Sequence, residues 1–395
     1  MDLNTPAQEL APTRRRVPAL TGIRTIAAIA VCLTHAAFWT GHYTDDYLGR
    51  LLSRFEVGVA IFFVLSGYLL FAPWVKSLQR AKSGASTYPA LGRYAWHRAR
   101  RILPAYWLTV GAVYVIFLFR DDPSDFGQGW SGLLRNLTFT QVYGLGHLHT
   151  GLTQMWSMAA EVAYYVALPL VAWLLVHVVC RDRWRPDLLL VGLGALLLVS
   201  PLWTVVVHGS EGIDLTARLW PPAFAGWFVG GMILAVLVRL LTSWPAWPSV
   251  SVAVVAFLAS GAAWAGEPTI VPSDAGAAII KHTLYLVVAL GLIGPLAVGA
   301  GKLGAGELGA GEFGAEKLGG GMGGWSAFCG SRPMVWFGEI SYEFFLVHVM
   351  VLELVMDLLG YSVFTGSTIA AFAVTTAISI PVAWILHRIT RPLWR

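Results

Sequence analysis

Two residues able to do acid–base and anion chemistry stand eleven positions apart in an apolar run. They are Arg24 and His35, within VPALTGIRTIAAIAVCLTHAAFW, residues 17–39. An imidazole titrates near neutral pH and can take a proton from a hydroxyl. A guanidinium stays charged and holds phosphates or carboxylates through a planar fork. The run is long enough to cross a bilayer as a helix, and a charged group inside such a helix is costly unless it is paired or used. On a helix the two residues lie ~16 Å apart along the axis, so they act at different depths.

Further candidates fall in other apolar runs. Glu161, in TQMWSMAAEVAYYVALPLVAWLLVHVVC, is twenty residues before Arg181. Counted from the inner membrane face, it comes to ~30 Å and His35, eighteen residues beyond Val17, to ~27 Å. Equal heights would let the carboxylate orient the imidazole and raise its basicity, as a general base needs; the alternative is a Glu161 that faces outer water. Arg98 and Arg101 are three apart and share a helix face, a spacing that suits a phosphate or pyrophosphate. The same arginines would also serve as topology anchors at a membrane end. Ser66, in FFVLSGYLL, has no base beside it in sequence, so close packing at Ser66-Gly67 is its expected role. Ser341 and His348, in GEISYEFFLVHVMVLE, are seven apart; they line a polar cavity or bond neighbouring helices, and spacing does not separate the two.

The elements that carry these groups are membrane helices. The 395 residues are 56% hydrophobic and 12% charged, against about 25% charged in soluble domains. The apolar runs are continuous and helix-length, which excludes a β-barrel. Ten runs reach spanning length, near 18–39, 55–75, 102–119, 155–179, 187–207, 219–240, 249–265, 277–299, 334–357 and 366–387. The expected fold is therefore all-α and polytopic, with about ten transmembrane helices.

Loop charge sets the orientation. With a cytoplasmic N-terminus, the inner segments hold Arg14, Arg15, Arg16, the basic residues from Lys76 to Arg101, Arg181, Arg183, Arg185, Arg239, Lys302, Lys317, Arg332, Arg388, Arg391 and Arg395. The outer segments hold Arg50, Arg54, Arg120, Arg135, Arg218 and Lys281. That asymmetry puts both termini inside, and the expected location is the plasma membrane. Residues 1–16 and 388–395 are then cytoplasmic tails around a domain at 17–387.

The rest of the chain narrows the classes. Residues 301–324, GKLGAGELGAGEFGAEKLGGGMGG, form a degenerate glycine-rich repeat expected to act as a flexible cytoplasmic tether. The longest outer loop, 120–153, carries Asp121, Asp122, Asp125, His147 and His149. No segment is large enough for a soluble domain, so the net charge of +5 reflects topology and not nucleic-acid binding. Cys32, Cys180 and Cys329 form no spacing motif; neither a disulfide nor a metal is expected. Arg24 interrupts the first apolar run, and this argues for a retained helix over a cleaved signal peptide.

Five short motifs in this order resemble the acyltransferase 3 family of membrane proteins, which O-acylate sugars and glycosylated products. They are Arg24 and His35 with ten residues between; Phe62-Phe63-Val64-Leu65-Ser66-Gly67; Arg98-x-x-Arg101-Ile102-x-Pro104-x-Tyr106; Trp156-Ser157-Met158-x-x-Glu161; and Ser341-Tyr342 followed by Leu346 and His348. The resemblance covers about residues 17–387. The chain departs from the pattern at Thr21, where the family often has aspartate, and at Phe345, where it often has tyrosine.

The resemblance implies an O-acyltransferase with acyl-CoA, acetyl-CoA first, as the cytoplasmic donor and a carbohydrate or glycosylated natural product as the acceptor. Arg24, Arg98 and Arg101 would meet the cofactor phosphates, and His35 with Glu161 would act on the acceptor hydroxyl. Ser66, Tyr106, Trp156, Ser341 and His348 would line the substrate pocket. His35 acts there either as a general base or as a nucleophile forming an acyl-histidine. The chain lacks the appended hydrolase-like domain of some members, so the expectation leans toward small glycosylated products such as macrolides. The competing class is a multi-span transporter or flippase for a glycan or lipid; it would favour internal repeats, and no half-to-half repeat is found.

Overall fold

Where it is described, the chain is helix joined by loops, with no strand. The computed structural model describes residues 17–81, 88–120, 126–144, 146–210, 212–269, 274–304 and 323–394. The helices are α1 (Pro18–Trp39), α2 (Tyr47–Ser53), α3 (Val57–Ala81), α4 (Leu91–Phe117), α5 (Gly129–Leu137), α6 (Trp156–Trp173), α7 (Pro186–Leu197), α8 (Val199–Gly209), α9 (Pro221–Leu237), α10 (Ala246–Ser260), α11 (Ala275–Gly304), α12 (Gly323–Cys329), α13 (Arg332–Leu358) and α14 (Thr368–Thr390). Every one of the ten expected spans coincides with helix. The expectations for Arg14, Arg15, Arg16, Lys82, Asp121, Asp122, Asp125, Lys317 and Arg395 lie outside the described residues. So does most of the tether, although residues 301–304 continue α11 and 323–324 open α12.

Seven of the helical stretches are long and apolar enough to cross a membrane by length and composition, among the described residues. The helices at the third, seventh and ninth expected spans fall outside that group for separable reasons. α10 is too short, at 15 residues. α4 and α13 have 27 residues each but carry polar groups: Arg93, Arg98, Arg100 and Arg101 on α4, and Glu343, His348 and Glu353 on α13. On α13 those three side chains are buried, at 0%, 0% and 5% exposure, and lie within the bundle. Conversely, Val166 and Leu170 on α6 and Leu202 and Val205 on α8 are largely exposed, as side chains facing lipid would be.

Local sequence explains the departures from straight spans. The fifth span is split at Leu198 into α7 and α8, because Pro201 has no N–H to give the carbonyl four residues back. α6 does not begin at the membrane surface. The 3-10 turn Thr150–Met155 that precedes it is already buried, and Gln154 Nε2 donates to the Leu346 carbonyl on α13 at 2.9 Å.

Two helix pairs position the site. α1 and α13 run side by side and parallel: Thr25 Oγ1 donates to the Met334 carbonyl at 2.7 Å near one end, and His35 meets His348 further along. The approach is close because Gly338 has no side chain; a Cβ there would stand 2.1 Å from the Thr21 carbonyl oxygen. α3 and α9 are joined in the same way through Gly67 and Gly231, whose added Cβ atoms would fall 2.1 Å from Phe228 O and 2.0 Å from Val64 O. Gly338→Leu should push α13 off α1 and destabilise the protein by at least the roughly 1–3 kcal/mol typical of overpacking. A thermal challenge followed by size-exclusion chromatography in detergent should show a lower half-aggregation temperature; an unchanged one would mean the helices are not held at this distance.

Candidate active site

The first layer is built on two histidines. His35 Nδ1 is 2.8 Å from the Val31 carbonyl, one turn back on α1. His348 Nδ1 is 2.8 Å from the Phe345 carbonyl on α13, and its Nε2 is 3.2 Å from His35 Nδ1. A carbonyl can only accept, so each Nδ1 carries the proton and donates. His348 Nε2 then offers a lone pair to the His35 Nδ1–H. By the same logic His35 Nε2 is unprotonated, and it has no protein partner. The His35 ring is half-buried and His348 fully buried, stacked almost parallel on Phe344 at 5.9 Å. A lone pair fixed in direction, with a hydrogen-bonded partner behind the ring, is the geometry a general base requires.

The carboxylate within electrostatic reach of His35 is Glu56, just before α3. Glu56 Oε1 accepts from Lys281 Nζ at 2.8 Å and from Tyr285 OH at 3.1 Å, both on α11.

The second layer lies deeper and is made of arginines around Glu161. Arg24 interacts electrostatically with Arg101, Arg98, Tyr165 and Glu161. Glu161 Oε1 accepts from Ser66 Oγ at 2.8 Å and from Tyr165 OH, one turn on along α6. Tyr94 OH on α4 donates to the Tyr165 carbonyl at 3.1 Å, tying α4 to α6 at this level. Arg101 packs over the Trp394 ring at 5.8 Å and acts on Glu343, which holds His387 at 3.1 Å. The buried Nε of Arg24 has no hydrogen-bond partner. Three mutually repelling guanidinium groups thus face two carboxylates, Glu161 and Glu343, each of which is itself bonded elsewhere. Such a cluster needs an anion to be stable in a low dielectric.

The expected His35–Glu161 pair does not form, and the helix ends explain why. The heights had been counted from ends that are not level. Arg24 is six residues into α1, ~9 Å, whereas Ser66 lies fifteen residues before the end of α3, ~22 Å. α1 therefore starts part-way up the bundle. Glu161 sits at the level of Arg24, and His35 is eleven residues, ~16 Å, further along α1. α3 repeats the spacing: Glu56 belongs to the histidine layer and Ser66, ten residues later, to the arginine layer, ~15 Å away. The arginines of α4 are likewise not at the start of a helix. α4 begins at Leu91, so Arg98 and Arg101 are two to three turns inside it.

The remaining candidates divide. His348 and Ser66 each join a layer. Trp156 is half-buried against Phe224 at 4.7 Å. Tyr106 is buried, donates to the Asn136 carbonyl at 2.7 Å and stacks on Phe139, so it ties α4 to α5. Ser341 is buried and donates to the Gly338 carbonyl of its own helix at 2.9 Å. Sequence reasoning passed over Glu56 and Tyr165. The signal for Tyr165 was its place four residues after Glu161 on one helix face; for Glu56 it was a carboxylate at the mouth of an apolar run.

The acyltransferase 3 family, described as an acyltransferase domain, matches residues 17–388, and the chain belongs to it. It is an O-acyltransferase embedded in a membrane. Among curated proteins it is similar to the acyltransferase MdmB of Streptomyces mycarofaciens, with 26% identity over 95% of this chain and 90% of that one. It is also similar to the peptidoglycan O-acetyltransferase OatA of Listeria monocytogenes, with 30% identity over 50% of this chain and 30% of the relative. The O-acetyltransferase OatA of Staphylococcus aureus matches at 25% identity over 50% of this chain and 31% of the relative. The match thus spans about a third of the OatA proteins. No solved structure matches the chain.

Ser66→Ala would leave Glu161 with Tyr165 as its one hydroxyl donor. Losing a hydrogen bond to a charged group costs about 1.5–3 kcal/mol, so the variant should unfold at lower temperature than wild type, while Ser66→Thr should recover most of the loss. Equal stability of all three would mean the bond contributes nothing.

Proposed function

We propose that the chain transfers an acyl group, acetyl first, from acyl-CoA to a hydroxyl of a sugar-bearing acceptor. The observation that carries this reading is the unpartnered Nε2 lone pair of His35, held in place by the Val31 carbonyl and His348. Arg24, Arg98 and Arg101 bind the phosphates of the donor, which supplies the anion their cluster lacks. The ~16 Å between the layers suits a carrier whose phosphates are far from its thioester. Glu161 belongs to this layer: it keeps Ser66 and Tyr165 in place and limits the repulsion among the arginines. The OatA relatives are O-acetyltransferases by name, which supports acetyl as the group moved.

His35 Nε2 takes the proton of the acceptor hydroxyl as its oxygen attacks the thioester carbonyl. The imidazolium that forms is stabilised at Nδ1–H by the Val31 carbonyl and the His348 lone pair. Collapse of the tetrahedral adduct breaks the C–S bond, and His35 returns the proton to the departing thiolate. The products are the ester and the free thiol. The alternative, attack by His35 itself to give an acyl-histidine, is tested by rapid-quench labelling with radioactive acetyl-CoA in the absence of acceptor; label trapped on His35 would replace the one-step route.

The site lies in the plasma membrane with the arginine layer toward the cytoplasm and both termini inside, in a ten-span arrangement supported by the loop charges. A green fluorescent protein fused after Arg395 should fluoresce and an alkaline phosphatase fused there should be inactive; the reverse would invert the model.

His35→Ala should lose about 10²- to 10⁴-fold in transfer rate while retaining acetyl-CoA binding. His348→Ala should lose less in kcat and shift the pH–rate profile, because it acts through His35. In the same membranes Arg98→Lys and Arg101→Lys should weaken acetyl-CoA binding without lowering the amount of inserted protein. Full activity of His35→Ala, or unchanged binding in both lysine variants, would each remove one half of the proposal.

A further inference from the structure

The 3-10 turn Arg391–Trp394, which follows α14, folds back onto α4 beside the arginine layer. Arg100 Nε donates to the Leu393 carbonyl at 2.5 Å and so fixes the turn to α4. One residue further along α4, the Arg101 guanidinium lies over the Trp394 ring, 5.8 Å from its centre. Another neighbour of that ring is His387 on α14. The two rings are almost perpendicular, at 88°, with centres 5.1 Å apart. His387 is held in turn by Glu343 at 3.1 Å, and Glu343 is fully buried on α13. Tyr342, beside Glu343 in sequence, donates to the Ile102 carbonyl at 3.0 Å, so α13 also grips α4 at the residue after Arg101. Leu393 is 51% exposed, which puts the turn at the surface end of the arginine layer.

The contacts from Glu343 through His387 and Trp394 to Arg101 do two things for a guanidinium. A ring against its face keeps water from that side and leaves the N–H edges of the fork to meet an anion. The same ring narrows the rotamers of a long side chain, so less entropy is lost when a ligand is held. Neither effect accounts for the indole N–H. Trp394 Nε1 is shut off from water and has no hydrogen-bond partner among the described residues. A buried N–H without an acceptor is unfavourable, and native structures keep few of them. Arg24 Nε, in the same layer, is a buried donor in the same state. Orphaned donors beside charged guanidinium groups call for a ligand with several acceptor oxygens, and a phosphate or pyrophosphate has them.

We propose that Trp394 is a donor-binding residue: its ring seats Arg101, and its Nε1–H donates to an oxygen of the phosphate that Arg101 holds. The turn Arg391–Trp394 is then a wall of the donor site. The proposal rests on the reading of the arginine layer as the place of the donor's phosphates, and adds to it a residue from a distant part of the chain. The contribution of Trp394 is confined to binding and to donors that carry phosphate. The thioester, in the histidine layer ~16 Å off, does not feel it.

The test uses the full chain in phospholipid nanodiscs. Binding is read by calorimetry with acetyl-CoA and with inorganic pyrophosphate. Thiol release is read with methyl glucoside as the hydroxyl acceptor and two donors, acetyl-CoA and S-acetylpantetheine, a thioester without phosphates. Trp394→Phe keeps a ring and removes the N–H. It should weaken acetyl-CoA binding about tenfold, the scale of one hydrogen bond to a charged group, and raise the KM for acetyl-CoA with kcat unchanged. Trp394→Leu, which also uncovers Arg101, should lose more. Arg100→Met, which frees the turn from α4, should lose affinity as well. The kcat/KM for S-acetylpantetheine should be the same in every variant. An acetyl-CoA affinity of Trp394→Phe equal to wild type would overturn the proposal. So would an equal loss with S-acetylpantetheine, which marks a merely structural change. Pyrophosphate binding that is weakened by Trp394→Phe, in a protein that turns over neither donor, would keep the anion site and remove the acyl-transfer reading instead.

Discussion

The bilayer tolerates a charged or polar group only when something answers it, and that constraint organises this protein. Arg24 stands inside α1 because α4 and α6 bring Arg98, Arg101, Glu161 and Tyr165 to the same level. His35 stands a further ~16 Å along because α13 supplies a second imidazole and α3 a carboxylate. Neither layer could be assembled by one helix. Each draws on at least three, and the glycines that let α1 meet α13 and α3 meet α9 are what bring the side chains within reach. In lipid there is little hydrophobic drive between helices, so close backbone approach and interhelical hydrogen bonds must do that work.

Separating the layers has a chemical consequence. A cluster of guanidinium groups next to an imidazole favours its neutral form and repels an imidazolium. At ~16 Å, with intervening apolar side chains such as Ala27, Ala28 and Val31 on α1, the two functions are decoupled. His35 is instead backed by groups that stabilise positive charge at Nδ1: a backbone carbonyl, the His348 lone pair and, further off, Glu56. The carboxylate that would most simply serve this purpose, Glu161, is committed to Ser66 and Tyr165.

Much of this could be read from the sequence, and the parts that could not share one cause. Helical spans are legible because length and continuity of apolar residues are local properties; each of the ten runs became helix. Arg24, His35, Arg98, Arg101, Glu161 and His348 stood out because polar groups are conspicuous in apolar runs. The partnerships were not legible, since they depend on how far each helix extends past its neighbours. α4 begins at Leu91 and α1 only at Pro18, part-way up the bundle, so heights counted from separate ends misplaced Glu161 by about the distance between the layers. His348 could be assigned to His35 only once α1 and α13 were known to be parallel. Tyr106 and Ser341 each belong to a recognisable motif, and each donates its hydroxyl to a backbone carbonyl, a partnership that sequence does not show.

The similarity to MdmB runs over 95% of this chain, whereas the similarity to the OatA proteins covers 50% of it. What any acyltransferase of this kind must share is a way to hold the donor's anionic end and a base at the thioester. In this protein the arginine and histidine layers are built from α1, α3, α4, α6 and α13. Two neighbouring pockets are lined chiefly by different helices, α8, α9 and α11, which contribute neither arginine nor histidine to the two layers. Pockets lined by their own set of helices can change shape without disturbing Arg24 or His35, provided that Glu56, just before α3, keeps its bonds to Lys281 and Tyr285. Glu56 thus both lines the pocket between α8, α9 and α11 and acts electrostatically on His35, so it joins the two regions physically.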